Sequence, residues 1–133
     1  MVRILVVLWI AAMLACGCGT SGLKRPVSSI DAPMNENGVQ RVDLDLHSYY
    51  FEPNRIVVKS GKPVDLVLRN RSIIVPHNFS IEDSTLKVDV NKWGPGAAHA
   101  RFMAPAPGEY RFFCDVDAHG RKHGMAGTLV VVP

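Results

Sequence analysis

Cysteine, charge of one sign and long apolar runs are all scarce in this chain. Of 133 residues three are cysteines, and only Cys114 lies beyond the first eighteen positions. The body must therefore fold around an apolar core without a framework of disulfides, and about 95 residues are enough for one such core. Fifteen Lys and Arg face 12 Asp and Glu, a formal charge of +3. That bias is weak, and no basic stripe with interleaved aromatics appears, so nucleic acid is not an expected partner. Internal repeats and low-complexity tracts are absent. No segment carries a 3.6-residue apolar stripe longer than two turns, which argues against a helical bundle.

The longest apolar run is Ile4 to Ala15, 12 residues with Arg3 as the only charge before it. A bilayer core of about 30 Å needs roughly 20 residues of helix, so this run is too short to span it. A basic residue, a short apolar stretch and small residues at its end make a secretory signal. Met13-Leu14-Ala15-Cys16 has the shape of a bacterial lipobox, with Met13 where an aliphatic residue is usual. Residues 1–18 are read as a lipoprotein signal, with Cys16 as the lipidated residue and an ordinary signal peptide cut a little later as the alternative. The protein is then expected outside the cytoplasm, in the periplasm or at the cell surface, on a membrane through its lipid.

Residues 19–38 are rich in Gly, Ser, Pro and Asn without apolar period. They read as a flexible tether, or else as an irregular arm on the domain. The folded part, residues 39–133, is expected to begin near Val39. Val42, Leu44 and Leu46 alternate with Arg41, Asp43, Asp45 and His47, the period of a strand with one buried face. Further strands are expected at Ile56–Val58, Val64–Leu68, His77–Ile81, Arg101–Met103, Glu109–Cys114 and Thr128–Val132. Turn signals such as Ser60-Gly61-Lys62-Pro63 and Pro105-Ala106-Pro107-Gly108 separate them. The expected fold is an all-β antiparallel sandwich, with room for a short helix in the poorly patterned 83–93 segment.

A lone thiol in an exported protein meets an oxidising compartment. Cys114 is then an inert buried thiol, a disulfide partner of Cys18, or a metal ligand. Its neighbours favour the last. Cys114, His119, His123 and Met125 fall within twelve residues between two strands, and Pro76-His77-Asn78-Phe79 lies upstream. Taken singly, His77 reads as a surface or hydrogen-bonded residue and Met125 as core filling. Together, a thiolate, imidazoles and a thioether suit one copper ion in both Cu(I) and Cu(II).

With Pro107-Gly108-Glu109-Tyr110-Arg111-Phe112-Phe113-Cys114, His119 and Gly124-Met125-Ala126-Gly127-Thr128-Leu129-Val130-Val131, these residues resemble the plastocyanin/azurin group of cupredoxins. Phe51-Glu52-Pro53, Ile56-Val57-Val58 and Gly61 fit as well, so the resemblance covers about residues 40 to 133. It implies a Greek-key β-sandwich with copper at one end. His77, Cys114 and His119 would be equatorial ligands, Met125 the axial one, and Asn78 a hydrogen-bonding tie between the ligand loops.

The chain departs from the family in spacing. Four residues separate Cys114 from His119, as expected, but five separate His119 from Met125. The extra residue is expected to bulge outward at Gly120-Arg121-Lys122, leaving His119 as the ligand. The alternatives give His123 the equatorial or the axial place.

The function implied is one-electron transfer between exported redox partners, with copper delivery or storage as the alternative. A dinuclear copper centre would need a second loop cysteine, and an enzyme a second metal site that His47 and His99 do not make, so no enzymatic activity is expected. The resemblance places the electron's exit at His119, within small or apolar Gly120, Gly124, Met125 and Ala126. Arg121 and Lys122 beside it point to a partner with an acidic docking surface.

Overall fold

The computed structural model describes residues 25–83 and 85–133; the signal and lipobox residues 1–18 and the first part of the tether lie outside them. Ten strands follow in order: β1 (Ser29–Asp31), β2 (Gln40–His47), β3 (Tyr50–Glu52), β4 (Arg55–Lys59), β5 (Pro63–Asn70), β6 (His77–Ile81), β7 (Asp89–Lys92), β8 (Ala97–Met103), β9 (Gly108–Phe113) and β10 (Ala126–Val132). A 3-10 turn (Val116–Ala118) and one helical turn, α1 (His119–Lys122), sit between β9 and β10. Residues 83–93, where a helix had room, hold β7 instead.

The strands form two sheets, ordered β1-β4-β10-β9-β6-β7 and β3-β2-β5-β8. The expected β-sandwich is therefore present, with one difference in detail. The pairs β1–β4, β4–β10 and β2–β5 are parallel, so both sheets are mixed. Alternation within a strand reports which face is buried but is the same for either direction of pairing.

The alternating β2 pattern behaves as read: Val42, Leu44 and Leu46 are buried, Arg41 and Asp43 exposed. The core lies between the sheets and is built on Phe51, Phe79 and Phe112, all fully buried, with ring centroids 5.2–6.1 Å apart. Leu44, Leu46, Ile56, Leu66, Leu68 and Leu129 fill the space around them. Gly127 has to be glycine, because a Cβ there would overlap the Phe112 ring and stand 2.5 Å from the Asn54 carbonyl oxygen.

The ordered fold reaches further toward the N-terminus than Val39. Ser29–Asp31 pair with Arg55–Val57 as an edge strand, and Met34 bridges to Gln40. Asn54 fastens this arm, accepting from the Ser28 N–H at 3.0 Å and donating to the Pro26 carbonyl at 3.0 Å. A three-residue strand with a single apolar residue, Ile30, shows no period that could be read from sequence.

Candidate metal centre

The ends of strands gather the functional side chains. His77 opens β6, and Cys114 directly follows β9. His119 and Met125 lie in the loop before β10. The antiparallel register Ser80↔Phe113 and Ala126↔Phe113 sets all of these at the same end of the sandwich.

There His77, Cys114 and His119 converge, with one ligand atom of each within 4.8 Å of the others. The Cys114 Sγ is 3.8 Å from His77 Nδ1 and 3.5 Å from His119 Nδ1. An ion with ligand bonds of about 2.0–2.3 Å spread at about 120° sets S···N near 3.7 Å. The two observed separations bracket that value. All three side chains are buried, with His119 5% exposed. The donor set, a soft thiolate and two imidazoles with a buried thioether nearby in the chain, fits a single copper ion.

The protonation states suit a metal. Burial is the largest cause pulling His77 down to about 4, helped by His119 and His47. Burial also lowers His119, with His123 adding to it against the opposing pull of Asp117. Both imidazoles are therefore neutral at pH 7, with lone pairs free. Ser72 Oγ lies 3.1 Å from His77 Nε2. A proton on Nε2 donated to that oxygen leaves Nδ1 as the lone-pair nitrogen facing the thiol. Burial pushes the Cys114 thiol up, and the Asn78 N–H, 3.4 Å from Sγ, opposes this. A cation in the site would supply the charge that the buried thiolate lacks.

Asn78 ties the two ligand segments together. Its Oδ1 accepts from the Asp115 N–H at 2.9 Å, and its Nδ2 donates to the carboxylates of Asp115 and Asp89. Met125 is fixed by its backbone: its carbonyl accepts from the Cys114 N–H at 3.1 Å, and its N–H donates to the His119 carbonyl at 3.2 Å. Its side chain is fully buried in the same cluster as Cys114.

The long loop is accommodated by winding. Residues 119–122 form one α-turn closed by the His123 N–H on the His119 carbonyl, and Gly124 at φ +70° reverses the chain. Gly120 must be small, since a Cβ would lie 2.8 Å from the Cys114 carbonyl oxygen that its N–H also bonds. His123 is exposed and outside the donor cluster. It stacks on Tyr49 at 4.1 Å, and Tyr49 packs edge-on against His119 at 4.8 Å. Tyr49 thus covers the ring of His119, which is 5% exposed.

Sequence reasoning missed Tyr49, Ser72 and Lys92. Tyr49 stands at the tip of the β2–β3 hairpin, and Lys92 pairs directly with His77 across β7 and β6. Nothing local marks either one. His47 and His99 lie outside the donor cluster: the first stacks on Tyr50, near enough to His77 to act on it through its charge, and the second binds Asp65 at 2.7 Å.

A family model described as a cupredoxin-like domain matches residues 4–131. Among solved structures, reduced auracyanin of the photosynthetic bacterium Roseiflexus castenholzii superimposes with a TM-score of 0.62 at 23% identity, covering 70% of this chain and 97% of that one. The metal-binding domain of the Cu(I)-exporting P-type ATPase CopA of Streptococcus pneumoniae D39 gives 0.65 at 16% identity, over 82% and 100%. Auracyanin A, a "blue" copper protein of Chloroflexus aurantiacus, gives 0.61 at 20%, over 71% and 100%. At these identities the likeness is one of fold. No curated protein sequence gives a significant match.

Proposed function

The chain belongs to the cupredoxin-like family, and on that premise we propose that it carries single electrons between redox proteins outside the cytoplasm through one copper ion. His77, Cys114 and His119 would hold the copper, with the buried Met125 thioether as a further, weaker donor, and the ion would supply the one-electron couple. The observation that carries this reading is the convergence of three buried donors, His77, Cys114 and His119, within 4.8 Å of one another. Donors held by packing and by the Asn78 bonds to Asp115 restrict how far a bound ion's surroundings can rearrange when its charge changes, and a small rearrangement means a low barrier to electron transfer.

Copper delivery or storage is the competing reading. Handover to an acceptor needs ligands that an incoming group can reach, whereas His77 and Cys114 are fully buried and His119 is 5% exposed. The closed site favours resident copper. A lipid on Cys16 keeps the domain on the outer side of a membrane. Exposed Arg121 and Lys122 on the ligand loop favour an acidic surface on the partner.

Copper-loaded protein is expected to absorb strongly in the visible through thiolate-to-copper charge transfer, and to cycle reversibly between oxidation states. Cys114→Ser should abolish the band. A colourless Cu(II) form would refute the carrier reading, and rapid loss of copper to a competing chelator would favour delivery.

A further inference from the structure

The described chain starts at the copper end of the molecule. β10 begins there, β4 runs parallel to it with Arg55 opposite Thr128, and β1 runs parallel to β4 with Ser29 opposite Arg55. Traced backward from Ser29, the backbone therefore leaves the sandwich beside the metal loops. Arg25 confirms the direction. Its guanidinium lies 3.6 Å over the Tyr50 ring, next to the Tyr49 that covers His119.

The same end carries three of the large exposed apolar side chains among the described residues, including the two most exposed. Ile73 is 100% exposed and Ile74 89%, in the β5–β6 loop four and three residues before His77. Trp93, 66% exposed, follows Lys92, the cross-strand partner of His77. This surface is held in shape, not frayed. Asn70 Nδ2 donates to the Val75 carbonyl at 2.9 Å and Asn70 Oδ1 accepts from the Ser72 N–H at 2.8 Å. The Lys92 ammonium donates to the carbonyls of Trp93, Gly94 and Pro95 at 3.1, 2.6 and 3.2 Å. Ile73, Ile74 and Trp93 line one shallow concavity, and a contiguous exposed apolar patch of this kind marks an interaction or membrane site.

We propose that this neighbour is the lipid bilayer: the protein rests on its membrane with the copper end down, Ile73 and Ile74 dipping into the acyl boundary and Trp93 at the headgroup level. The inference rests on the lipid-anchor reading of Cys16 and gives that anchor an orientation. Nine residue steps from Cys16 to Arg25 reach at most about 30 Å when extended. The six-stranded sheet between β1 and β7 is about 24 Å wide. An anchor leaving at one edge of the copper end thus allows the apolar loops at the other edge to meet the same bilayer. Tryptophan prefers the headgroup level and isoleucine the acyl boundary. Exposed Arg25, where the described chain leaves this end, suits an anionic leaflet. The redox partner is then a protein embedded in that membrane.

The test uses the mature lipidated protein on phosphatidylcholine/phosphatidylglycerol vesicles with brominated acyl chains. Trp93 emission is expected to be quenched relative to unbrominated vesicles, the quenched component to vanish in Trp93→Phe, and the quenching to weaken in Ile73→Ser/Ile74→Ser. Unchanged emission while the protein stays on the vesicles overturns the orientation, leaves the anchor standing and frees the apolar end for a protein partner. A chain that washes off the vesicles overturns anchor and orientation together. The copper absorption band, read on the same samples, reports the carrier function independently of both.

Discussion

Asn78 and Asp115 hold each other from two strand ends: the Asn78 side-chain oxygen Oδ1 accepts from the Asp115 N–H, and its Nδ2 donates back to the Asp115 carboxylate. One residue precedes Asn78 and one precedes Asp115, and these are the ligands His77 and Cys114. The pair therefore sets the distance between imidazole and thiol. Asn78→Ala leaves the Asp115 N–H without its partner, costing about 1–3 kcal/mol. Copper affinity should fall about 10–100-fold, as for other supports of metal ligands. Denaturant titration and competition with a copper chelator measure the two effects separately.

Acid should destabilise the copper-free protein. His77 sits at about 4 in the fold against an ordinary 6.5. Between those values the unfolded chain binds more protons than the folded one, so stability rises with pH across that window and is lost as pH falls through it. The difference is worth about 3 kcal/mol. Urea unfolding midpoints of apo protein at pH 7 and pH 4.5 should differ accordingly, and His77→Gln should flatten the dependence. A flat wild-type profile would refute it.

Much of the site was legible because its residue types are rare and close in sequence. Cys114, His119 and Met125 stand within twelve residues, and strand ends on either side leave them little choice of location. The alternation along β2 likewise fixes its buried face. The site's covering and its charge were not legible, since Tyr49 and Lys92 reach it only through hairpin and sheet pairing. Parallel pairing escaped for the same reason, being a property of chain path and not of any one strand.

Lys92 should set the preference between copper oxidation states. It is 3% exposed, its three carbonyl acceptors satisfy the three donors of an ammonium, and among the described residues it has no acidic partner. A positive charge opposite His77 favours Cu(I), the less charged ion. At an effective dielectric of about 20 a unit charge on the neighbouring strand is worth on the order of 1–2 kcal/mol, about tenfold in relative affinity. Lys92→Met should lower the reduction potential by that ratio in a spectroscopic redox titration. Pro95→Ala, which disturbs the loop but keeps the charge, should leave it nearly unchanged.

The two loop histidines should separate cleanly under substitution. His119 lies in the donor cluster, 3.5 Å from the thiol, while His123 is exposed and stacked on Tyr49. His119→Ala removes one corner of the metal plane and should abolish the charge-transfer band. His123→Ala removes a ring from the outer face of Tyr49 and should keep the band, with a stability loss of about 0.5–1.5 kcal/mol for the lost aromatic pair. Tyr49→Ala goes further, since it also uncovers His119, and should speed copper exchange with a chelator while retaining the colour. Loss of the band in His123→Ala with its retention in His119→Ala would exchange the roles of the two residues, and would require the α-turn over residues 119–122 to unwind when copper binds.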